Sequence, residues 1–164
     1  MRQDLTTDTV ERHIEAPPKV LYDILSDVTR TPERTADIVH CEWIGGATGP
    51  AVGARFKAIN TAGHGRKWSN KPIVTVADPG REFTFTRTEL IGGTIEWKHV
   101  LTPEGTGTRV TESYTVLEPV PLIGWFLIGT LFGLKDRRSD LHDSMVSSLD
   151  RLAELAEREA ATAG

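Results

Sequence analysis

Leu141-His142-Asp143-Ser144-Met145-Val146-Ser147-Ser148-Leu149-Asp150-Arg151-Leu152-Ala153-Glu154-Leu155 places Leu141, Met145, Leu149, Leu152 and Leu155 on one helical stripe. Asp140, Asp143, Asp150, Arg151 and Glu154 fall mostly off it. A helix with a single apolar stripe needs a single surface to cover. The chain before it supplies one, because its apolar residues alternate with a period of two instead.

The alternation begins at Thr9–Glu15, with Val10, Arg12 and Ile14 on one face. Ala16-Pro17-Pro18 then opens a helix, since a first turn tolerates proline. Val20, Leu21, Ile24, Leu25 and Val28 recur at helical spacing, and Pro32 marks a second short helix or turn within Thr29–Asp37. Six further strands are expected at Val39–Ile44, Ala54–Asn60, Lys67–Ala77, Glu82–Leu90, Thr94–Leu101 and Arg109–Glu118. Their connections are short and rich in glycine: Gly45-Gly46, residues 61–65, Asp78-Pro79-Gly80, Gly92-Gly93 and Pro103-Glu104-Gly105. Consecutive strands joined in this way form an antiparallel meander. The expected fold class is α+β. A seven-stranded curved antiparallel sheet wraps around a long C-terminal helix, and two short helices follow the first strand. At 164 residues the chain suits one domain, 1–164.

Ile14-Glu15-Ala16-Pro17-Pro18-Lys19-Val20-Leu21-Tyr22-Asp23-Ile24-Leu25-Ser26-Asp27 resembles the opening signature of the SRPBCC superfamily. That group includes START domains, polyketide cyclases/dehydrases and birch-pollen-allergen-like proteins. Val74–Phe83 and Gly107–Glu112 are similar to its later strand pairs. The resemblance covers nearly the whole chain and implies the helix-grip fold, with a cavity between sheet and helix. It also implies an apolar small-molecule ligand, lipid or polyketide-like, that is bound or transferred. A metal-independent cyclase or dehydratase is the alternative. Many relatives carry a tryptophan two residues after the proline that follows the first helix. Here that place, after Pro32-Glu33, is Arg34, which implies a polar rim where relatives have an apolar plug.

Parity along the strands selects the face that would line the cavity. It carries Phe56, Ala58 and Asn60; Trp68, Asn70 and Val74; Phe83, Phe85 and Arg87; Ile95, Trp97, His99 and Leu101; and Val110, Glu112, Tyr114 and Val116. Asn70, Arg87, His99, Glu112 and Tyr114 stand out, because buried polar groups are costly unless satisfied. Two readings are open. Arg87 pairs with Glu112 or these groups reach solvent at the sheet ends; or they line a wet cavity and orient a ligand's carbonyl or hydroxyl. The candidate ligand-binding set is Phe56, Trp68, Asn70, Phe85, Arg87, Trp97, His99, Glu112, Tyr114 and Trp125. No catalytic residue is assigned.

Trp125 lies in residues 119–134, a run without any charge. It is shorter than the ~18–20 apolar residues that span a bilayer. The expectation is that it closes the cavity as the first part of the long helix, with Trp125 and Phe126 near the mouth. Membrane contact or pairing with a second copy through 119–134 are the partners it admits. Other function classes are disfavoured. A net charge of −4 does not suit a nucleic-acid binder. The five histidines, at 13, 40, 64, 99 and 142, show no metal-ligand spacing. Phosphate-binding glycine loops and nucleophile elbows are missing too, so neither metal nor cofactor is expected. The lone Cys41 reads as a buried structural thiol, and the polar stretch from Met1 to Val10 as no secretory signal. Together these point to the cytoplasm.

Overall fold

The computed structural model describes residues 5–61, 65–88, 93–131 and 136–163. Strand β1 (Thr7–Ile14) leads into helix α1 (Pro18–Ser26), where extended Pro17 is the N-cap and Pro18 stands in the first turn. Leu21, Ile24, Leu25 and Val28 are all buried, so the apolar face read from the spacing is the face that packs. Asp27 ends α1 and its side chain accepts the Thr29 N–H at 3.1 Å, which starts a short 3₁₀ turn. Helix α2 (Thr31–Arg34) follows, with Pro32 in its first turn.

The remaining strands are β2 (Ile38–Ile44), β3 (Arg55–Thr61), β4 (Lys67–Asn70), β5 (Ile73–Asp78), β6 (Glu82–Thr88), β7 (Thr94–Glu104) and β8 (Gly107–Glu118). The sheet runs β1-β8-β7-β6-β5-β3-β2, antiparallel throughout, with β4 also on β3. The expected strand Lys67–Ala77 is therefore two segments. Pro72 lacks an N–H and interrupts the ladder. The register nevertheless continues across it, with Ala58 opposite Asn70 and Arg55 opposite Ile73. The sheet is seven strands wide, and one strand is broken. Register shifts at Ile38/His40, Val74/Val76 and Thr94/Ile95 add the bends that curl it.

Strands β1 and β2 lie at opposite edges, so α1 and α2 must cross beneath one end of the sheet. Helix α1 packs against β6, β7 and the long helix, and α2 against β2 and the same helix. That helix, α4 (Arg137–Ala163), lies in the concave face and buries Leu141, Met145, Ser148, Leu149, Leu152, Ala153 and Ala156. Leu155 is only half-buried. The buried stripe passes through Ala153 and Ala156 instead, both in the cluster that also holds the buried residues of α1.

The charge-free segment does not begin the long helix. It forms its own helix, α3 (Leu122–Leu131), and residues 132–134 of the run lie outside the described residues. Among the described residues no helix is long and apolar enough to cross a membrane. Cys41 is buried, and burial pushes its thiol up to about 11, as suits a structural thiol.

Candidate functional site

The interior is built in three tiers. The lower tier is an apolar cluster in which Ile14, Leu21, Ile24, Phe83, Val110 and Leu152 are almost fully buried. The upper tier is a second cluster of Leu5, Ile95, Trp97, Tyr114, Trp125, Leu141 and Met145. On β7, His99 lies between Trp97 of the upper cluster and Leu101 of the lower. On β8, Glu112 lies between Tyr114 and Val110. On α4, Ser148 lies between Met145 and Leu149. Strict alternation on the two strands and the helical period on α4 thus bring one polar position from each to the same height. The result is a polar layer between two greasy ones.

Register pairs two members of the layer directly. His99 stands opposite Glu112 across β7 and β8, and His99 Nε2 is 3.3 Å from Glu112 Oε1. Arg87 stands opposite Ile95; its guanidinium carbon is 5.6 Å from the centre of the Trp97 ring. Arg87 Nη1 also donates to Asn60 Oδ1 at 3.4 Å. The expected Arg87–Glu112 ion pair is thus not the one the sheet builds: Glu112 meets His99. The Trp97 and Tyr114 rings are 5.5 Å apart, and Phe56 and Phe85 meet edge to face at 5.2 Å.

Arg34 completes the layer from the helical side. Its side chain does not form a rim. The residue is 6% exposed, and its Nη1 donates to Ser148 Oγ at 3.4 Å. Burial pushes the guanidinium below its ordinary value, and Glu112 is the charge that most strongly pulls it back. Helix α2 packs against β2 and α4, and Arg34 is its one residue that is buried.

Of the ten residues read from the sequence, Phe56, Asn70, Arg87, Trp97, His99, Glu112, Tyr114 and Trp125 are buried. Phe85 is partly buried and bridges the two clusters, and Trp68 is half-buried near the β3–β4 edge. Burial raises the Tyr114 hydroxyl above its ordinary value. Arg34, Asn60 and Ser148 belong with the set although they are not among the ten; parity puts Asn60 on the same face. Ser148 was readable, since it falls on the stripe three residues after Met145.

Several buried polar atoms of this set have no hydrogen-bond partner: Arg34 Nε, both amide atoms of Asn70, Trp97 Nε1, both ring nitrogens of His99 and Glu112 Oε2. Native interiors leave few such atoms. An open depression of about 560 Å³ at the β5–β6 turn, lined by residues 78–82 and 100–103, shares no residue with this layer. Among the described residues no cluster of three or more His, Cys, Asp or Glu side chains could hold a metal ion.

Helix α3 covers the upper end. Trp125 is 5% exposed and packs into the upper cluster, whereas Leu122, Ile123 and Phe126 are 70%, 70% and 63% exposed. The two neighbours expected together at a mouth therefore point opposite ways, one inward and one outward, as adjacent helical positions can.

Residues 6–157 match the family model described as polyketide cyclase / dehydrase and lipid transport. No curated relative matches the sequence. Among solved structures, the chain is similar to the di-domain ARO/CYC StfQ from the steffimycin biosynthetic pathway. The identity is 14% and the TM-score 0.77, over 95% of this chain and 52% of that one. It is also similar to major latex-like protein 151 of Panax ginseng, with 18% identity and a TM-score of 0.70 over 92% of this chain and 96% of that one. A third is protein CV1439 of Chromobacterium violaceum, with 18% identity and a TM-score of 0.71 over 93% and 99%. Likeness at these identities establishes the helix-grip fold, not an activity.

Proposed function

Because the chain belongs to the polyketide cyclase / dehydrase and lipid transport family, we propose that its sheet and long helix receive an apolar small molecule, lipid or polyketide-like, that carries oxygen functions. The observation that carries this reading is the polar layer itself. Donors and acceptors from β4, β7, β8 and α2 are buried without hydrogen-bond partners among residues of, or next to, the two apolar clusters. Each such atom costs free energy until something bonds to it. A ligand with apolar flanks and a few oxygens suits both the walls and the layer. Helix α3 is the lid in this reading: it is free of charge, contributes Trp125 to the upper wall and is softened by Gly124 and Gly129.

The test is titration with N-phenyl-1-naphthylamine, a neutral dye that brightens in apolar surroundings. Saturable binding of one dye per chain, with quenching of tryptophan emission, is expected. No binding, together with ordered water on the unpartnered atoms in a crystal structure, would overturn the reading.

One observation favours a second reading, turnover by a cyclase or dehydratase. His99 lies with Nε2 beside Glu112 and with Nδ1 buried without a hydrogen-bond partner, and Tyr114 is the next inward residue along β8. In that chemistry His99 would move protons while Arg87 and Tyr114 polarise a carbonyl. A poly-β-ketone released lighter by one water, and released unchanged by His99→Ala, is the result that would establish it.

A further inference from the structure

We infer that the ligand of this interior is an acid, with its carboxylate seated on the Nε edge of Arg34 and its apolar part against the upper cluster beneath α3. The inference rests on the reading that the interior takes a ligand, and it deepens that reading. Among the described residues, the charged or imidazole side chains that are buried are Arg34, Arg87, His99 and Glu112, so carboxylate is the scarce species. Glu112 is shared: it lies 3.3 Å from His99 and is also the main opposing charge for Arg34. Arg87 is engaged with Asn60 and with the face of Trp97.

Arg34 differs from Arg87. Its Nη1 is turned to Ser148, and its Nε is buried without a hydrogen-bond partner. The Nε side of a guanidinium presents two parallel N–H groups whose spacing matches the two oxygens of a carboxylate. A single such edge suits one carboxylate better than a phosphate dianion, which would need further cations. Trp97 Nε1 and the Asn70 amide are additional buried polar groups without hydrogen-bond partners, which a hydroxyl or carbonyl could satisfy. The upper cluster of Ile95, Trp97, Trp125, Leu141 and Met145 then takes the chain or ring.

The experiment uses two probes with the same tail, 11-(dansylamino)undecanoic acid and its methyl ester, titrated into the whole protein at neutral pH. The acid is expected to bind about tenfold more tightly than the ester, the gain of one charge-assisted hydrogen-bonded pair in a dry site. Arg34→Met is expected to weaken the acid far more than the ester, so that the preference disappears, and Arg34→Lys to keep part of it. Equal binding of acid and ester to the wild-type protein would overturn the inference without needing any variant. So would an Arg34→Met protein that loses both probes equally, since Arg34 would then be only part of the wall. Binding of N-phenyl-1-naphthylamine without either dansyl probe would refute the acid and leave the apolar chamber standing; failure of all three would remove both.

Discussion

Replacing Glu112 by glutamine keeps the side-chain shape and removes one charge from the polar layer. Glu112 is 5% exposed, stands 3.3 Å from His99 and is the principal opposing charge for Arg34, itself 6% exposed. Removing the carboxylate alone strands a buried guanidinium, which costs about 3–5 kcal/mol when no water can reach it. Glutamine leaves a polar side chain of the same shape in place, so the lower end, about 3 kcal/mol, is expected. For a domain of this size that is a fall in Tm of roughly 6–12 °C. Arg34→Met should cost less, about 1–2 kcal/mol, because Glu112 keeps His99 beside it. The double variant should lose about 2 kcal/mol instead of the additive sum, a coupling of roughly 2–3 kcal/mol. Urea denaturation followed by tryptophan emission measures all four corners of the cycle. Additive losses would show that Arg34 and Glu112 do not sense one another, and the polar layer would fall apart into separate residues.

Leu149→Ala, in the lower cluster on α4, should cost about 2–5 kcal/mol, and an unchanged urea midpoint would mean the stripe does not face the core. Gly107→Ala should destabilise by about 1–3 kcal/mol, because a Cβ there would stand 2.3 Å from the Ile14 carbonyl oxygen of the neighbouring strand; a stability equal to wild type would mean β1 shifts freely. The half-buried His13 hydrogen-bonds to Glu15 and Glu104, and these partners raise it above 6.5. Its contribution is thus complete below about 6.5 and is lost as pH rises through the folded value. The stability difference between wild type and His13→Gln, measured in low salt, should shrink from pH 6 to pH 9; a difference that grows would reverse the assignment.

Much of this interior was legible because an antiparallel strand allows a side chain only two directions. Once Phe83 and Trp97 are placed inward, Arg87, His99 and Glu112 must follow, and all three are buried. Pairing across strands was less legible, since it depends on register. Parity put Arg87 and Glu112 on one face, but the β7–β8 ladder sets Glu112 opposite His99. Arg34 shows the stricter limit. A four-residue helix has no period to read, so the direction of its last side chain is fixed only by what packs on either side of it, here β2 and α4. The departure from the usual tryptophan singled out the position but not its depth. The break at Pro72 and the separate α3 were missed for a related reason: strand pattern and apolar content persist across a break, although the missing N–H of Pro72 was a signal of the first.

Native mass spectrometry of the protein taken directly from the cells that make it tests the chamber most directly, because it requires no assumption about the ligand. The expected spectrum contains the apoprotein and a discrete heavier species whose extra mass is released on gentle activation. Collected in negative mode, the released molecule should be an acid with a predominantly hydrocarbon body. A spectrum of apoprotein alone, from protein that also fails to take up N-phenyl-1-naphthylamine, would contradict the account and leave the polar layer as hydrated structure.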